Sequence, residues 1–261
     1  MGPLGVSPVQ GHPLPVGEKV AGLSGHSAVM SPTGCARVGL MTQYTKDTTT
    51  DDVLQGVDLD GRRVVITGAS SGLGEESTRA LASHGAQVTM LARSAEKLAE
   101  AADRVRAGVP DAELELGTVD LADLASVRAF ADGYLDSHGA IDVLMNNAGV
   151  MACPLMRTAD GFEMQFGTNH LGQFVLTGRL GPAVLAGNEP RVVNLSSAAH
   201  STSDVDLDDP NYRDEASYDP WISYGRSKTA NCLFTRELAR RLEDRGVRSY
   251  AVHPGGIMTN L

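Results

Sequence analysis

The chain has 261 residues, of which 42% are hydrophobic and 21% are charged, so it can bury one sizeable core. Its formal net charge of −10 argues against nucleic acid or an anionic membrane as the main partner, because both are bound through an excess of Lys and Arg. The three cysteines are scattered and odd in number, which is typical of a reducing compartment rather than of a disulfide framework. We therefore expect a soluble, cytoplasmic protein.

The beginning of the chain differs in composition from the rest. Residues 1–45 are rich in Gly, Pro, Ser and Val and show neither helical nor strand periodicity. We predict that this segment is a disordered extension and that residues 46–261 form one folded domain. Because every recognisable pattern follows Asp60, translation from Met41 is a hypothesis that N-terminal peptide mass spectrometry can test. No apolar run reaches the roughly 18 to 20 residues that span a bilayer, so we expect no membrane span.

From Arg62 onward, short apolar runs alternate with longer segments of helical periodicity. This alternation predicts an α/β fold, a single doubly wound parallel sheet of the Rossmann type with helices on both faces. Ligands of such sheets bind at the carboxyl ends of the strands. The predicted strands are 63–67, 87–92, 114–119, 141–146, 191–195 and 249–252. The predicted helices are 75–84, 95–107, 124–137, 162–185 and 224–244.

A glycine-rich turn connects the first predicted strand to the first predicted helix. Residues 67–74 read TGASSGLG. The glycines let the backbone turn sharply and approach a pyrophosphate, and unpaired N–H groups at a helix start attract its negative charge. Since Gly also marks ordinary turns, the position between strand and helix is what favours a dinucleotide site. The predicted phosphate-binding residues are Gly68, Ser70, Ser71, Gly72, Leu73 and Gly74.

A tyrosine and a lysine lie four residues apart in the last predicted helix. Tyr224 and Lys228 therefore emerge from the same helix face. A free tyrosine ionises near pH ~10, and a neighbouring ammonium group lowers that pKa. We expect Lys228 to act on Tyr224 in this way and to make its phenol a usable proton carrier. The YxxxK spacing is frequent by chance, but its position after a strand that ends in Ser196 and Ser197 makes it more specific.

The order of these motifs resembles the short-chain dehydrogenase/reductase family. The turn spacing TGxxxGxG is followed by NNAG at residues 146–149 and by YxxxK at residues 224–228. The segments TNHLGQFVLT and YGRSKTANCLFTRELARRL are similar to the retinol-dehydrogenase-like branch. The resemblance runs from about Asp60 to the last residue. It implies an oxidoreductase that moves a hydride between a nicotinamide cofactor and a carbonyl or alcohol carbon of a bulky apolar small molecule.

The resemblance also implies a catalytic tetrad. Its members are Asn169, Ser197, Tyr224 and Lys228, with Ser196 as the alternative to Ser197. The tyrosine exchanges a proton with the substrate oxygen, the serine polarises that oxygen, and the lysine holds the nicotinamide ribose. Further cofactor contacts are implied for Asp120, Leu121, Asn147, Ala148, Gly149, Pro254, Gly255 and Thr259, together with Tyr224 and Lys228. For Asp120 the alternative is a helix cap, and for Pro254 and Gly255 it is a plain turn.

The end of the second predicted strand bears on the choice of cofactor. Rossmann sites that bind NAD place an acidic side chain about twenty residues after the glycine turn, and the resemblance puts Ala92 there. Arg93 can instead pair with a 2′-phosphate through its guanidinium fork. We therefore predict NADP ahead of NAD, with a solvated surface arginine as the alternative interpretation.

The sequence also bears on metal binding and on alternative functions. The histidines and cysteines lack the paired spacing of zinc ligands, so we predict no metal. The acidic stretch at residues 204–209 is interpreted as a solvated insertion beside the substrate entrance.

The chain ends seven residues after Pro254, so we expect the sheet to lack the last strand of the family. The alternative function is a non-catalytic nucleotide-binding protein or an inactive, C-terminally shortened fragment. The family commonly dimerises through helices that flank the Tyr-Lys helix, so a homo-oligomer is also expected.

Overall fold

The structure is a computed structural model that describes residues 44–45 and 47–256. Three expectations lie outside the described residues: the disorder of residues 1–45 except at Tyr44 and Thr45, translation from Met41, and the cofactor contact of Thr259. Along the part of the chain that is described, no helix is both long and apolar enough to cross a membrane.

Six parallel strands form one sheet in the order β3-β2-β1-β4-β5-β6. Three strands have the predicted bounds, and the others differ from them by one or two residues at one end. The strands are β1 Arg63–Thr67, β2 Gln87–Ala92, β3 Leu114–Thr118, β4 Val143–Asn146, β5 Arg191–Leu195 and β6 Arg248–Val252. The predicted α/β class and Rossmann-type sheet are confirmed.

Helices cover both faces of the sheet. They are α1 Thr50–Leu54, α2 Gly72–Ala82, α3 Ala95–Gly108, α4 Leu124–Ser137, α5 Met164–Phe166, α6 Gln173–Arg179, α7 Gly181–Leu185 and α8 Pro220–Leu242. A π-helical segment, Gly167–Gly172, connects α5 to α6. The single helix predicted over residues 162–185 was therefore wrong, because the segment changes to π geometry, α6 ends at Arg179, and a separate helix begins at Gly181 with Pro182 in its first turn.

The start of α8 also differs from the prediction. The helix begins at Pro220, one turn before the predicted Tyr224. The Asp219 carboxylate accepts hydrogen bonds from the backbone N–H groups of Trp221 and Ile222 at 2.8 and 2.9 Å. An Asp cap followed by Pro at the first helical position is a known start signal. Tyr224 therefore lies one turn inside a capped helix.

The core consists of two apolar clusters on opposite faces of the sheet. Successive strand residues point to opposite faces, so Val64 and Ile66 of β1 belong to one cluster and Val65 to the other. The first cluster packs against α2 and α3, and the second against α4 and α6. Because side chains and helices fill both faces of the sheet, we expect a ligand to bind at the edge formed by the carboxyl ends of the strands.

The strand order reverses between β1 and β4, which are neighbours in the sheet although β2 and β3 come between them in sequence. In open parallel sheets, ligands bind in the crevice at such a reversal. Thr67, at the end of β1, accepts hydrogen bonds on its hydroxyl from the backbone N–H groups of Asn147 and Ala148, both at 3.0 Å. The glycine turn and the NNAG segment are thereby held side by side.

Candidate active site

The glycine turn is packed too closely for side chains at two positions. Gly68 has φ +68°, and a Cβ added there would lie 2.9 Å from the Cα of Ala148. A Cβ added at Gly74 would lie 2.3 Å from the carbonyl oxygen of Gly68. Asn147 closes the arrangement by donating its side-chain amide to the Thr67 carbonyl at 2.9 Å. The first turn of α2 is thus held close against the bend, as a phosphate-binding turn requires.

An open crevice of about 280 Å³ lies over this turn. Most of its lining was predicted from the sequence: Gly68, Ser70, Ser71, Gly72, Leu73, Asn147, Ala148, Gly149, Tyr224, Lys228 and Pro254. Sequence reasoning missed four further lining residues: Val150, Met151, Leu195 and Ser196, the last considered only as an alternative catalytic serine. Val150 and Met151 follow the NNAG segment, and Leu195 and Ser196 precede Ser197, so closeness to these motifs in sequence was the available signal.

Other predicted residues lie outside this lining. Arg93 follows β2 directly, is exposed, and has no hydrogen bond or ion pair with any residue that the structure describes. The Asp120 carboxylate accepts a hydrogen bond from the Ala122 N–H at 2.9 Å within its own turn, whereas the cap of α4 is Asp123. Leu121 is buried in the core, and Gly255 is an exposed residue with φ +88°.

Tyr224 and Lys228 are brought together in the crevice. Both side chains are buried, with 8% and 4% of their surfaces exposed. The Lys228 Nζ atom lies 5.4 Å from the centre of the Tyr224 ring and donates a hydrogen bond to the Leu195 carbonyl at 3.0 Å. Burial disfavours the ammonium form and lowers the pKa of Lys228 to about 8. The lysine can therefore change its charge close to physiological pH.

The expected effect of Lys228 on Tyr224 was wrong for this structure. Burial raises the pKa of Tyr224, and a hydrogen bond with Ser197 opposes that rise without cancelling it. The ammonium group of Lys228 lies close to the tyrosine ring and donates its hydrogen bond to the Leu195 carbonyl. Desolvation of the phenolate therefore exceeds the stabilisation that the sequence argument attributed to the cation.

The structure distinguishes the two candidate serines. The Ser196 hydroxyl donates a hydrogen bond to the Lys228 carbonyl at 3.0 Å and lies 3.1 Å from the Cys232 sulfur, so it links β5 to α8. The Ser197 hydroxyl accepts a hydrogen bond from the Ala199 N–H at 3.2 Å. It is also the group whose hydrogen bond favours ionised Tyr224. Although Ser196 borders the crevice, Ser197 is the serine whose hydrogen bond lowers the pKa of Tyr224.

Asn169 is fully buried in the π-helical segment. Its side chain accepts a hydrogen bond from the Val150 N–H at 2.7 Å and donates to the Val150 carbonyl at 2.9 Å and to the Ser227 hydroxyl at 3.0 Å. Its backbone carbonyl accepts a hydrogen bond from the Asn231 side chain at 3.1 Å. Asn169 therefore fixes the loop after β4 relative to α8. Ser227 and Asn231 were missed, although two polar residues four apart on a buried helix face were a readable signal.

These features agree with comparisons to known proteins. The family model described as short chain dehydrogenase matches residues 62–206. The chain belongs to the short-chain dehydrogenase family. It is 45% identical to retinol dehydrogenase 12 of Homo sapiens and 43% identical to retinol dehydrogenase 11 of Homo sapiens, each over 205 residues. Each match covers 78% of this chain and 64% of the relative, so the chain spans less than two thirds of these relatives. The predicted resemblance to the retinol-dehydrogenase-like branch is confirmed.

Solved structures show the same fold. An uncharacterized protein from Mycobacterium paratuberculosis has a TM-score of 0.68 at 47% identity, covering 78% of this chain and 72% of that one. The RhlG/NADP active-site complex from Pseudomonas aeruginosa has a TM-score of 0.62 at 26% identity, covering 78% and 75%. A short chain dehydrogenase from Shigella flexneri complexed with NADP has a TM-score of 0.64 at 25% identity, covering 77% and 80%.

Proposed function

We propose that the protein is an NADP(H)-dependent oxidoreductase that interconverts a carbonyl and an alcohol on an apolar small molecule. The observation that carries this proposal is the convergence of Tyr224 and Lys228 in the crevice beside the glycine turn. A plain nucleotide-binding site has no need of a buried phenol next to a buried amine. Burial of both groups also disfavours their charged forms, which is common where a protein uses a perturbed pKa for chemistry.

The residues of the crevice fit a dinucleotide. Because Gly68 and Gly74 have no Cβ, a phosphate can approach the backbone at the start of α2, an eleven-residue helix whose N–H groups attract anions. When bound, the nicotinamide cofactor supplies or accepts the hydride. Its phosphates are assigned to the turn of residues 68–74 and its nicotinamide end to the side of Tyr224 and Lys228.

The proton is handled by the chain's own side chains. During reduction, the Tyr224 phenol donates its proton to the substrate oxygen, and during oxidation the same oxygen accepts a proton. Because the pKa of Tyr224 is raised, the phenol is in its donating form at neutral pH. The Ser197 hydroxyl donates a hydrogen bond to the reacting oxygen and polarises it. The Lys228 ammonium, close to the ring, stabilises the negative charge left on the phenol after transfer.

We expect the reductive activity to depend on the charge of Lys228. Because the pKa of Lys228 is about 8, its cationic form predominates below that pH. Above it, the cationic fraction falls about tenfold for each pH unit. The value of kcat/KM for carbonyl reduction should therefore be constant below about pH 8 and fall above it. The pH profile of kcat/KM at saturating NADPH measures this. Tyr224 stays protonated over this range and does not produce the fall.

Lys228→Arg is the matched variant for this profile. Arginine keeps its charge to above about pH 12, so the fall near pH 8 should disappear in any activity that the variant retains. The same inflection in both proteins would contradict the assignment to Lys228.

The remaining parts of the proposal concern substrate, location and assembly. An apolar substrate is supported by Val150 and Met151 in the crevice lining. A cytoplasmic location is supported by the free thiols of Cys153 and Cys232. Self-association is supported by the half-exposed Phe174 and Leu233 on α6 and α8, because large apolar side chains near one another favour a protein partner.

Turnover with a panel of apolar aldehydes, ketones and alcohols tests the function. The protein is incubated with each compound and NADPH or NADP, and the absorbance of NADPH is followed. We expect one or more members of the panel to be converted. Binding of NADPH without turnover of any compound would instead favour the non-catalytic nucleotide-binding alternative.

A further inference from the structure

An exposed tryptophan lies beside the proposed proton donor. Trp221 is one turn before Tyr224 on α8, and 58% of its surface is exposed. The two ring centres are 6.3 Å apart, and the ring planes are nearly perpendicular at 85°. A single exposed aromatic residue is ordinary on a protein surface. This one, however, is in edge contact with the residue proposed to exchange a proton with the substrate.

The backbone of Trp221 is held firmly in place. Its N–H donates a hydrogen bond to the Asp219 carboxylate at 2.8 Å, and Pro220 fixes the first helical position. Such caps reduce fraying of the first helical turn. The indole is therefore presented to solvent from a fixed backbone, and little further order has to be imposed on it when a ligand binds.

The loop after β4 is tied to the start of α8. Gln165, fully buried, donates a hydrogen bond to the Pro220 carbonyl at 2.8 Å and accepts one from the Ala152 N–H at 2.8 Å. The Tyr218 hydroxyl donates to the Cys153 carbonyl at 2.8 Å. These bonds hold the segment next to Met151 against the first turn of α8.

Met151 and Trp221 thereby border Tyr224 from two chain segments. Met151 lines the crevice together with Tyr224, and 38% of its surface is exposed. Neither side chain carries a charge, and the nearby Asp219 carboxylate is engaged by two backbone N–H groups. A planar indole and an uncharged thioether next to the proton donor favour a flat, apolar ligand over a charged one.

We infer that Trp221 is a specificity-determining residue, whose indole stacks on planar conjugated aldehydes, ketones and alcohols while their oxygen reaches Tyr224. This inference rests on the proposed function and narrows its substrate class. Stacked aromatic pairs are more stable than the area that they bury accounts for. Trp221 should therefore favour binding of flat substrates over puckered ones of the same size.

Kinetics with two aldehydes of equal carbon number test the inference. trans-Cinnamaldehyde is planar and conjugated, whereas 3-cyclohexylpropanal is puckered and saturated. We expect Trp221→Ala to raise KM for cinnamaldehyde about tenfold and KM for cyclohexylpropanal by less than about threefold. We expect kcat to change by less than about threefold with either compound, because the indole contacts substrate and not the transferred proton. Trp221→Phe should restore most of the affinity for cinnamaldehyde.

Tyr44→Ala is the control, because Tyr44 is also 58% exposed but is not the aromatic residue in ring contact with Tyr224. It should leave both KM values unchanged. If Trp221→Ala alters neither KM, or both equally, the assignment of Trp221 is wrong while the proposed function stands. If the unmodified protein converts neither aldehyde but turns over another compound of the panel, the inference is contradicted and the proposed function stands. If it converts no compound at all, both are contradicted.

A binding measurement provides a readout apart from turnover. Trp221 is the only tryptophan in the sequence, so intrinsic tryptophan fluorescence reports on this position alone. In Tyr224→Phe with NADP present, we expect cinnamyl alcohol to quench the emission saturably and 3-cyclohexylpropanol to have little effect. Absence of saturable quenching by cinnamyl alcohol would contradict stacking on the indole.

Discussion

Replacing Tyr224 by phenylalanine is expected to lower kcat by about 10²- to 10⁴-fold, the usual contribution of a general acid or base. The variant keeps the buried ring beside Trp221 and Lys228 but has no proton to transfer. We expect the dissociation constant for NADPH to change by less than about threefold, because the glycine turn is untouched. Steady-state turnover and equilibrium titration of NADPH measure the two effects separately.

Tyr250→Phe provides the control for that substitution. Tyr250 lies on β6, is partly exposed, and does not line the crevice. Loss of its hydroxyl should leave kcat within about twofold of the unmodified protein, as is usual for a surface change away from the site. Unchanged turnover in Tyr224→Phe would refute the proposed role of the phenol, whatever the effect of the control.

Arg93→Ala is expected to weaken binding of NADPH by about 10- to 150-fold, the equivalent of one or more hydrogen bonds to a charged group. The guanidinium group is exposed at the end of β2 and unpaired among the described residues, so it is available to a 2′-phosphate. Affinity for NADH should change by less than about twofold, because that cofactor has no 2′-phosphate. Parallel titrations of the two cofactors measure the difference.

Arg245→Ala is the control, because it removes the same positive charge as Arg93→Ala at a different place in the protein. Arg245 is also exposed, but it precedes β6 and so lies at the sheet edge opposite the crevice. It should weaken binding of NADPH only slightly, through the loss of one long-range positive charge. Equal affinities for NADPH and NADH in the unmodified protein would contradict the preference for NADP.

The strands were largely predictable because their signals are local. β1, β2 and β5 are short apolar runs between turn residues, and these patterns set their bounds. The prediction for β4 began two residues early, at Ile141, because this apolar residue was included in the strand across Asp142. The side chain of Asp142 accepts hydrogen bonds from the backbone N–H groups of Arg63 and Asn188, contacts that the local pattern does not contain.

The site was predictable where a motif carried it. The glycine turn, the NNAG segment and the Tyr-Lys pair converge as the parallel sheet requires. The pKa of Tyr224 was not predictable, because it depends on burial by elements distant in sequence. The same reason applies to Asn169, whose contacts with Val150 and Ser227 span 19 and 58 positions.

The cooperation of Tyr224 and Lys228 is the central claim, and a double-mutant cycle on kcat tests it most directly. The variants are Tyr224→Phe, Lys228→Met and the double substitution, with single-turnover rates measured at saturating NADPH. If the amine acts through the phenol, Lys228→Met should lower kcat little further in a protein that already lacks the phenol. The double variant should therefore be about as slow as Tyr224→Phe alone. If the double variant instead lowers kcat by the product of the two single-variant factors, the cooperation of Tyr224 and Lys228 is contradicted.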